Sequence, residues 1–326
     1  MKAVVTQAPG GPEQLVLADV SDPTPGPGEV VIDVAYAACN WADTQVRQGR
    51  YPLLSAFPLV MGFEVSGTVA QLGAGVTDVR LGERVATFAA KGGGYAEKCV
   101  TAAAGLIRLP DSVPFDTGAA FPITALTAYH MLFTVHGRLR PGSSVLVSAI
   151  GGGVGLAVTQ LAVQAGVRVI GTTGTAGKER RPLELGASRV INYLTDDLEQ
   201  AVLDFTGGKG VDLAIDSHGA SMLDRVFGVV RPLGHVISIG EADGQPFTNI
   251  RDRIRPRSQT FSRFHLGHVD RNSDDWSAGV AHCLRGLAEG WLTVPIEGVY
   301  PLAQAAEMHR RLESRQVSGK LLLGIA

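Results

Sequence analysis

Residues 148–155, "SAIGGGVG", join a short Val-rich run, "SSVLVSA" (143–149), to a segment apolar on most faces, "GGVGLAVTQLAVQAG" (152–166). Glycines at such a junction let the backbone turn sharply and let a phosphate approach the first N–H groups of the following helix. Gly152, Gly153 and Val154 are therefore expected to follow a pyrophosphate. About 20 residues beyond such a turn, an acid would hold the ribose diol of NAD, whereas a basic neighbour accommodates the 2′-phosphate of NADP. The stretch "VRVIGTTGTAGK" (167–178) has no carboxylate there; it offers Thr172, Thr173 and Thr175, then Lys178, with Arg180 and Arg181 following. A cation attracts a phosphate and donates to its oxygens, so the expected cofactor is NADPH.

Other residue types with chemical potential are sparse. Cys39, Cys99 and Cys283 are far apart, with no C-x-x-C pair. This argues against a disulfide framework and a thiolate zinc site, and suits a reducing cytoplasm. His218, His265 and His268 have no partner at a meaningful spacing. Formal charge is −2, so no global field draws the chain to nucleic acid or an anionic membrane. The Arg-rich run 251–272 also contains Asp252 and Asp270, which weakens an RNA-binding reading. No run approaches the ~20 apolar residues of a spanning helix, and the N-terminus "MKAVVTQAPGG" has no apolar signal core. A cytoplasmic protein with neither nucleic acid nor membrane as partner is expected.

The elements that must position the glycine turn have two textures. The first third is strand-rich, with "EVVIDVAYAA" (29–38), "FEVSGTVAQLG" (63–73), "GERVATFA" (82–89) and "GYAEKCVTA" (94–102) set between turn residues, suggesting a small barrel or open sandwich. From about residue 143, "VRVIGT", "SRVINY" (188–193), "VDLAIDS" (211–217) and "HVISIG" (235–240) alternate with helical segments such as "DLEQAVLDFTGG" (197–208). Apolar strands alternating with helices mark an α/β, doubly wound parallel sheet covered on both faces. Helices are then expected over 273–292, where "SDD" suits the positive N-terminal end, and over 301–315, before a last strand "GKLLLGI" (319–325).

With "AIGGGVG", "GTTGTAGK", "VINY" and "DSHG" in order, and "NWAD", "QGRYP", "GFEVSG" and "GERV" before them, the chain resembles the zinc-independent, zeta-crystallin-like quinone oxidoreductases of the medium-chain dehydrogenase/reductase superfamily. The resemblance runs from "MKAVV" to "GKLLLGI". It implies a GroES-like catalytic domain in two segments, 1–124 and 268–326, around a Rossmann domain over 125–267, with the active site in the cleft between domains. It also implies a homodimer. Zinc-using relatives carry ligands at positions filled here by Asn40, Phe63 and Ile123, and a carboxamide, a phenyl and a butyl group do not build a tetrahedral N/S site. No metal is expected.

The same resemblance assigns roles. Asn40 lies at the nicotinamide end, where its amide can donate or accept toward ribose or substrate oxygen. Tyr51 matches a tyrosine of the substrate cleft and, in similar enoyl thioester reductases, a proton donor; Thr127 is placed beside the nicotinamide. Gly174, Lys178 and Tyr193 match residues around the 2′-phosphate, and Arg315 matches a further cofactor contact. Ser217 and Gly240 fall at strand ends, where cofactors lie in open α/β sheets. The implied activity is NADPH-dependent reduction of quinones. Reduction of activated alkenes (enals, enones or 2-enoyl thioesters) is the alternative, and a crystallin-like or RNA-binding protein with little turnover is a third reading.

Overall fold

The computed structural model of the protein describes residues 1–51 and 56–325. The chain divides into a first unit, Met1–Thr124, Asp270–Gly290 and Val294–Ala326, and a second unit, Ala125–Val269 with Trp291–Thr293.

The first unit is built from β1 (Lys2–Thr6), β2 (Leu15–Asp19), β3 (Glu29–Cys39), β4 (Leu59–Val60), β5 (Glu64–Leu72), β6 (Arg84–Phe88), β7 (Lys98–Ala102) and β8 (Leu106–Arg108). Its first helices are α1 (Trp41–Arg47) and α2 (Phe115–Ala120), and α3 (Pro122–Tyr129) starts in it. The second unit holds β9 (Ser144–Val147), β10 (Arg168–Thr173), β11 (Arg189–Asn192), β12 (Val211–Asp216), β13 (Val230–Ser238) and β14 (Thr260–Arg263). Its helices are α4 (Gly153–Gln164), α5 (Arg180–Glu184), α6 (Leu198–Thr206), α7 (Ala220–Val229) and α8 (Ile250–Ile254). The chain then returns to the first unit with α9 (Asp274–Glu289), β15 (Ile296–Pro301), α10 (Ala305–Glu313) and β16 (Lys320–Gly324).

The larger sheet of the first unit runs β15-β16-β3-β5-β6-β8, with β7 also on β3. The long β3 pairs antiparallel with β5 through two register shifts, between Val31 and Ile32 and between Val34 and Tyr36. Such bulges bend a strand sharply, which lets it contact β5, β7 and β16. Ala38 of β3, Ala119 and Ala120 of α2 and Leu322 of β16 form a small-residue core where helix approaches sheet.

The second unit is a six-stranded parallel sheet in the order β11-β10-β9-β12-β13-β14. Counted along the chain, that order is third, second, first, fourth, fifth, sixth, the dinucleotide-binding arrangement with its reversal at β9. The expected doubly wound α/β class is what the chain adopts. Buried Leu146, Ile170, Ala214 and Val236 come from four adjacent strands, and Leu198, Val202, Leu223 and Val226 of α6 and α7 pack into the same core.

Two local expectations change. The strand expected from His235 begins at Val230 and ends at Ser238; pairing to β12 skips from Val230 to His235, across Pro232, which has no N–H to give. The segment 301–315 is not one helix: Pro301 closes β15, a tight turn covers Leu302–Gln304, and only Ala305–Glu313 is α-helical. After α3 the chain continues over His130–His136 as a wider helix, ending at Gly137 with φ 61°. At α9, Ser273 Oγ accepts from Trp276 N–H at 3.2 Å, and Asp274 and Asp275 occupy the first turn. Among the described residues no helix is long and apolar enough to cross a membrane.

Candidate functional site

Main-chain groups dominate the C-terminal edge of the parallel sheet. The first intrahelical bond of α4 runs from Leu156 N–H to Gly152 C=O at 2.9 Å, so the N–H groups of Gly153, Val154 and Gly155 precede it. A Cβ on Gly155 would stand 2.6 Å from Ile150 Cα, so only glycine lets the helix start this close to the preceding turn. A Cβ on Gly151 would meet the carbonyl O of Lys178 at 3.1 Å and its Cε at 3.2 Å, which places Lys178 against the same turn. These features form a cradle of main-chain donors, and they fit a diphosphate.

The sequence-predicted residues of this unit gather at successive strand ends. Gly174 follows β10, Tyr193 follows β11, Ser217 follows β12, and Gly240 lies two residues beyond β13. The phenol of Tyr193 lies against Gly174, where a Cβ would collide with it, and its ring meets His218 edge-on at 5.3 Å. Ser148 Oγ accepts from Ser217 N–H at 2.7 Å, tying the ends of β9 and β12 together at the point where strand order reverses. Gly240 is close enough to Ser217 that a Cβ would meet its carbonyl O at 3.1 Å. Of the basic run, Arg180 is directed along its own helix to Glu184 at 2.7 Å, while Lys178 lies against the turn at Gly151. Asp216, which the sequence reading did not single out, ends β12 fully buried and accepts from His218 N–H (3.2 Å) and Gly219 N–H (3.0 Å). Burial pushes its carboxyl up to about 6 against those two bonds.

Charged side chains make the corresponding centre in the first unit. Asn40 is the N-cap of α1, and Asp43 Oδ2 accepts its backbone N–H at 2.8 Å. The Asn40 side chain reaches two charges: Oδ1 accepts from Lys320 Nζ at 2.6 Å, and Nδ2 donates to Glu64 Oε2 at 3.1 Å. Lys320 and Glu64 are themselves paired at 2.8 Å, 3% and 0% exposed respectively. Glu64 Oε1 accepts from Ile123 N–H at 2.5 Å, in the first turn of α3, where the helix dipole favours a carboxylate.

The pleat explains this convergence. Ala38 lies opposite Glu64 on β5, and Leu321 of β16 lies opposite Cys39, which brings Lys320 alongside Asn40. Residues two apart on a strand share a face, so the three side chains meet. Asp43 is fully buried beside them, and burial pushes its carboxyl up to about 7 despite the Asn40 N–H bond and the Lys320 charge.

The three positions matching zinc ligands in relatives therefore present a carboxamide held by an ammonium, a phenyl ring, and a backbone N–H bonded to a carboxylate. Among the described residues there is no group of three or more His, Cys, Asp or Glu placed to hold a metal ion. Tyr51 is half-buried, its ring 5.7 Å from that of Phe63, which lies 6.3 Å from Phe88. Thr127 is buried within α3, the helix whose start bonds Glu64. Arg315 follows α10 with φ 60° and is exposed; it lies in the first unit, away in the chain from the glycine turn. Sequence reasoning missed Lys320 altogether and passed over Glu64 as part of a motif. "NWAD" carried a local signal for the Asp43 cap, but Lys320 sits in an ordinary apolar strand with no such mark.

Known proteins resemble the chain over nearly its whole length. Residues 26–111 match the alcohol dehydrogenase GroES-like domain, and residues 153–285 match the family described as zinc-binding dehydrogenase. A 2-haloacrylate reductase from a Burkholderia species is 33% identical, covering 98% of this chain and 98% of its own. A quinone oxidoreductase of Pseudomonas aeruginosa is 33% identical over 99% of both chains. The crystal structure of Escherichia coli quinone oxidoreductase complexed with NADPH superposes with a TM-score of 0.94 at 29% identity, covering 100% of both chains. Near full-length identity at this level, on the same two-unit fold, means that the chain belongs to the medium-chain dehydrogenase/reductase superfamily, among its quinone-oxidoreductase-like members, and is an oxidoreductase.

Proposed function

We propose that the protein is an NADPH-dependent reductase of quinones. The cofactor follows from the cradle at the C-terminal edge of the parallel sheet and from the NADPH-bound relative of the same fold. NADPH, when bound, supplies the hydride. The first N–H groups of α4, with Gly152, Gly153 and Val154, hold the diphosphate; Gly174, Lys178 and Tyr193 surround the 2′-phosphate; Ser217, Gly240 and Arg315 complete the binding set.

The observation that carries the quinone reading is the half-buried Tyr51 ring, backed by the buried Phe63 and Phe88. Tyr51 rests on Phe63, and Phe63 precedes Glu64, the partner of Asn40. A flat ring with two carbonyls gains from such a surface and needs only hydrogen-bond donors to accept hydride, because its own conjugation stabilises the anion formed. Asn40, Tyr51 and Thr127 orient it and stabilise the anionic product.

Similarity to 2-haloacrylate reductase supports a second reading, reduction of a carbon–carbon double bond conjugated to a carbonyl. That reaction needs a proton delivered to carbon, which makes Tyr51 an obligatory acid. Steady-state NADPH oxidation against naphthoquinones, trans-2-enals and crotonyl-CoA, with NADH in parallel, tests both. Quinone reduction should survive Tyr51→Phe within about threefold, whereas alkene reduction should fall on the order of 100-fold. Rapid turnover of the alkenes with quinones untouched would replace the first reading with the second. A homodimer and a cytoplasmic location belong to the same proposal, and light scattering on the purified protein tests the first.

A further inference from the structure

A carboxamide is ambiguous by itself: one end accepts and the other donates, and a half-turn about its last bond exchanges them. At Asn40 that ambiguity is removed by two charges. Lys320 Nζ, which only donates, stands 2.6 Å from one end of the amide. Glu64 Oε2, which only accepts, stands 3.1 Å from the other. A half-turn would set NH₂ against ammonium and oxygen against carboxylate, losing both bonds and adding two repulsions. Neither charge can turn away. Glu64 is held by the α3 backbone through Ile123 N–H, and Lys320 is confined by its buried strand. Asn40 Oδ1 and one Nδ2–H are thus engaged, and its second Nδ2–H is left to meet a ligand.

We propose that Lys320 and Glu64 are positioning residues that lock the Asn40 carboxamide with its N–H outward, so that the site presents a fixed donor to an oxygen acceptor of the reacting pair. The acceptor is either the carbonyl oxygen of the substrate or a ribose hydroxyl oxygen of the nucleotide. The adjacent ammonium polarises the amide and strengthens that donor. The inference rests on the reading of Asn40 as a residue of the reacting site, and it narrows that reading from donor-or-acceptor to donor.

The test uses the full chain, with Asn40→Ala, the paired Lys320→Met/Glu64→Gln and the triple combination. The paired exchange removes both charges together, so neither is left buried alone. For a lock acting through Asn40, the paired exchange lowers kcat/KM for a naphthoquinone about tenfold with Asn40 present and less than twofold with Ala at that position. Equal losses on both backgrounds overturn the proposal, because a merely structural role does not depend on Asn40. NADPH binding followed by fluorescence separates the two acceptors: a weakened Kd points to ribose, and a lowered kcat at saturating NADPH points to the substrate carbonyl.

A second readout does not depend on turnover. In asparagine-selective ¹⁵N spectra, the Asn40 side-chain amide, identified by its loss in Asn40→Ala, should show one proton shifted downfield and slow to exchange. The paired exchange should abolish that difference, and an unchanged amide overturns the lock. An intact lock with normal NADPH binding and turnover in Asn40→Ala overturns the donor role. If the wild-type protein oxidises no NADPH with any acceptor, the proposed function fails, and the amide spectrum still decides the lock.

Discussion

At the edge of the parallel sheet, the groups available to a ligand are N–H groups of Gly153, Val154 and Gly155, contributed by consecutive residues. At Asn40, the centre is built from side chains at positions 40, 64 and 320, set by the N-cap of α1, by β5 and by β16. The first centre works by leaving atoms out, since glycine lets backbone and ligand approach. The second works by filling its space with a carboxamide, a carboxylate and an ammonium that satisfy one another. A backbone cradle tolerates change in surrounding side chains but not added atoms at the glycines. A buried charged centre tolerates paired changes but not single ones.

The sharpest way to break this comparison is Lys320→Met alone. It leaves the Glu64 carboxylate buried without its counter-ion, and urea unfolding should report a loss of about 4 kcal/mol. The paired variant should recover most of it, and a single variant as stable as wild type would show that the centre is not held by charge.

Gly155→Ala is the counterpart in the second unit. Its Cβ would lie 2.6 Å from Ile150 Cα, a backbone atom that cannot rotate aside, and a cost on the order of 3 kcal/mol is expected from the same unfolding measurement. Loss of NADPH binding should accompany it.

His309 probes how far the buried polar layer of the first unit extends. Its Nε2 lies 3.3 Å from Tyr95 Oη, and burial, aided by the Arg47 charge, holds its pKa down at about 3 from 6.5. A folded value below the unfolded one means that its stability contribution is intact above 6.5 and is lost progressively as pH falls toward 3. In His309→Gln, the drop in stability between pH 7 and pH 4.5 should shrink by about 2 kcal/mol relative to wild type. Parallel pH profiles would remove His309 from the acid sensitivity.

The smallest effect is expected at Lys178→Ala, where the ratio of NADPH to NADH affinity should fall about tenfold, or ~1.4 kcal/mol. An unchanged ratio would pass the preference to Tyr193 and the main chain around Gly174.

Much of this was legible because it is local. The strand, glycine turn, helix and second strand over 143–173 are contiguous, and their periods and breakers read directly. Ser217 and Gly240 were readable as strand ends and Gly152 as part of the glycine turn, whereas Gly174 and Tyr193 were assigned by the resemblance. The fold sets Gly174, Tyr193, Ser217 and Gly240 just beyond successive strands. The helix expected over 301–315 was misread because its apolar spacing spans a strand end, a tight turn and a helix alike. The acid three residues after Asn40 in "NWAD" is a local signal for the Asp43 cap, but nothing local records where the Asn40 side chain goes.

The sequence alone determined the parallel α/β unit, the glycine cradle and the presence of a cation where NAD would want an acid, since these depend on neighbours in the chain. Tertiary structure alone decided that Lys320 stands beside Asn40 and that the carboxamide presents a hydrogen. That outcome depends on the register of β16 against β3, where Leu321 lies opposite Cys39. A slip of one residue would send the lysine to the other face of the sheet, and nothing in "GKLLLGI" records which face it takes.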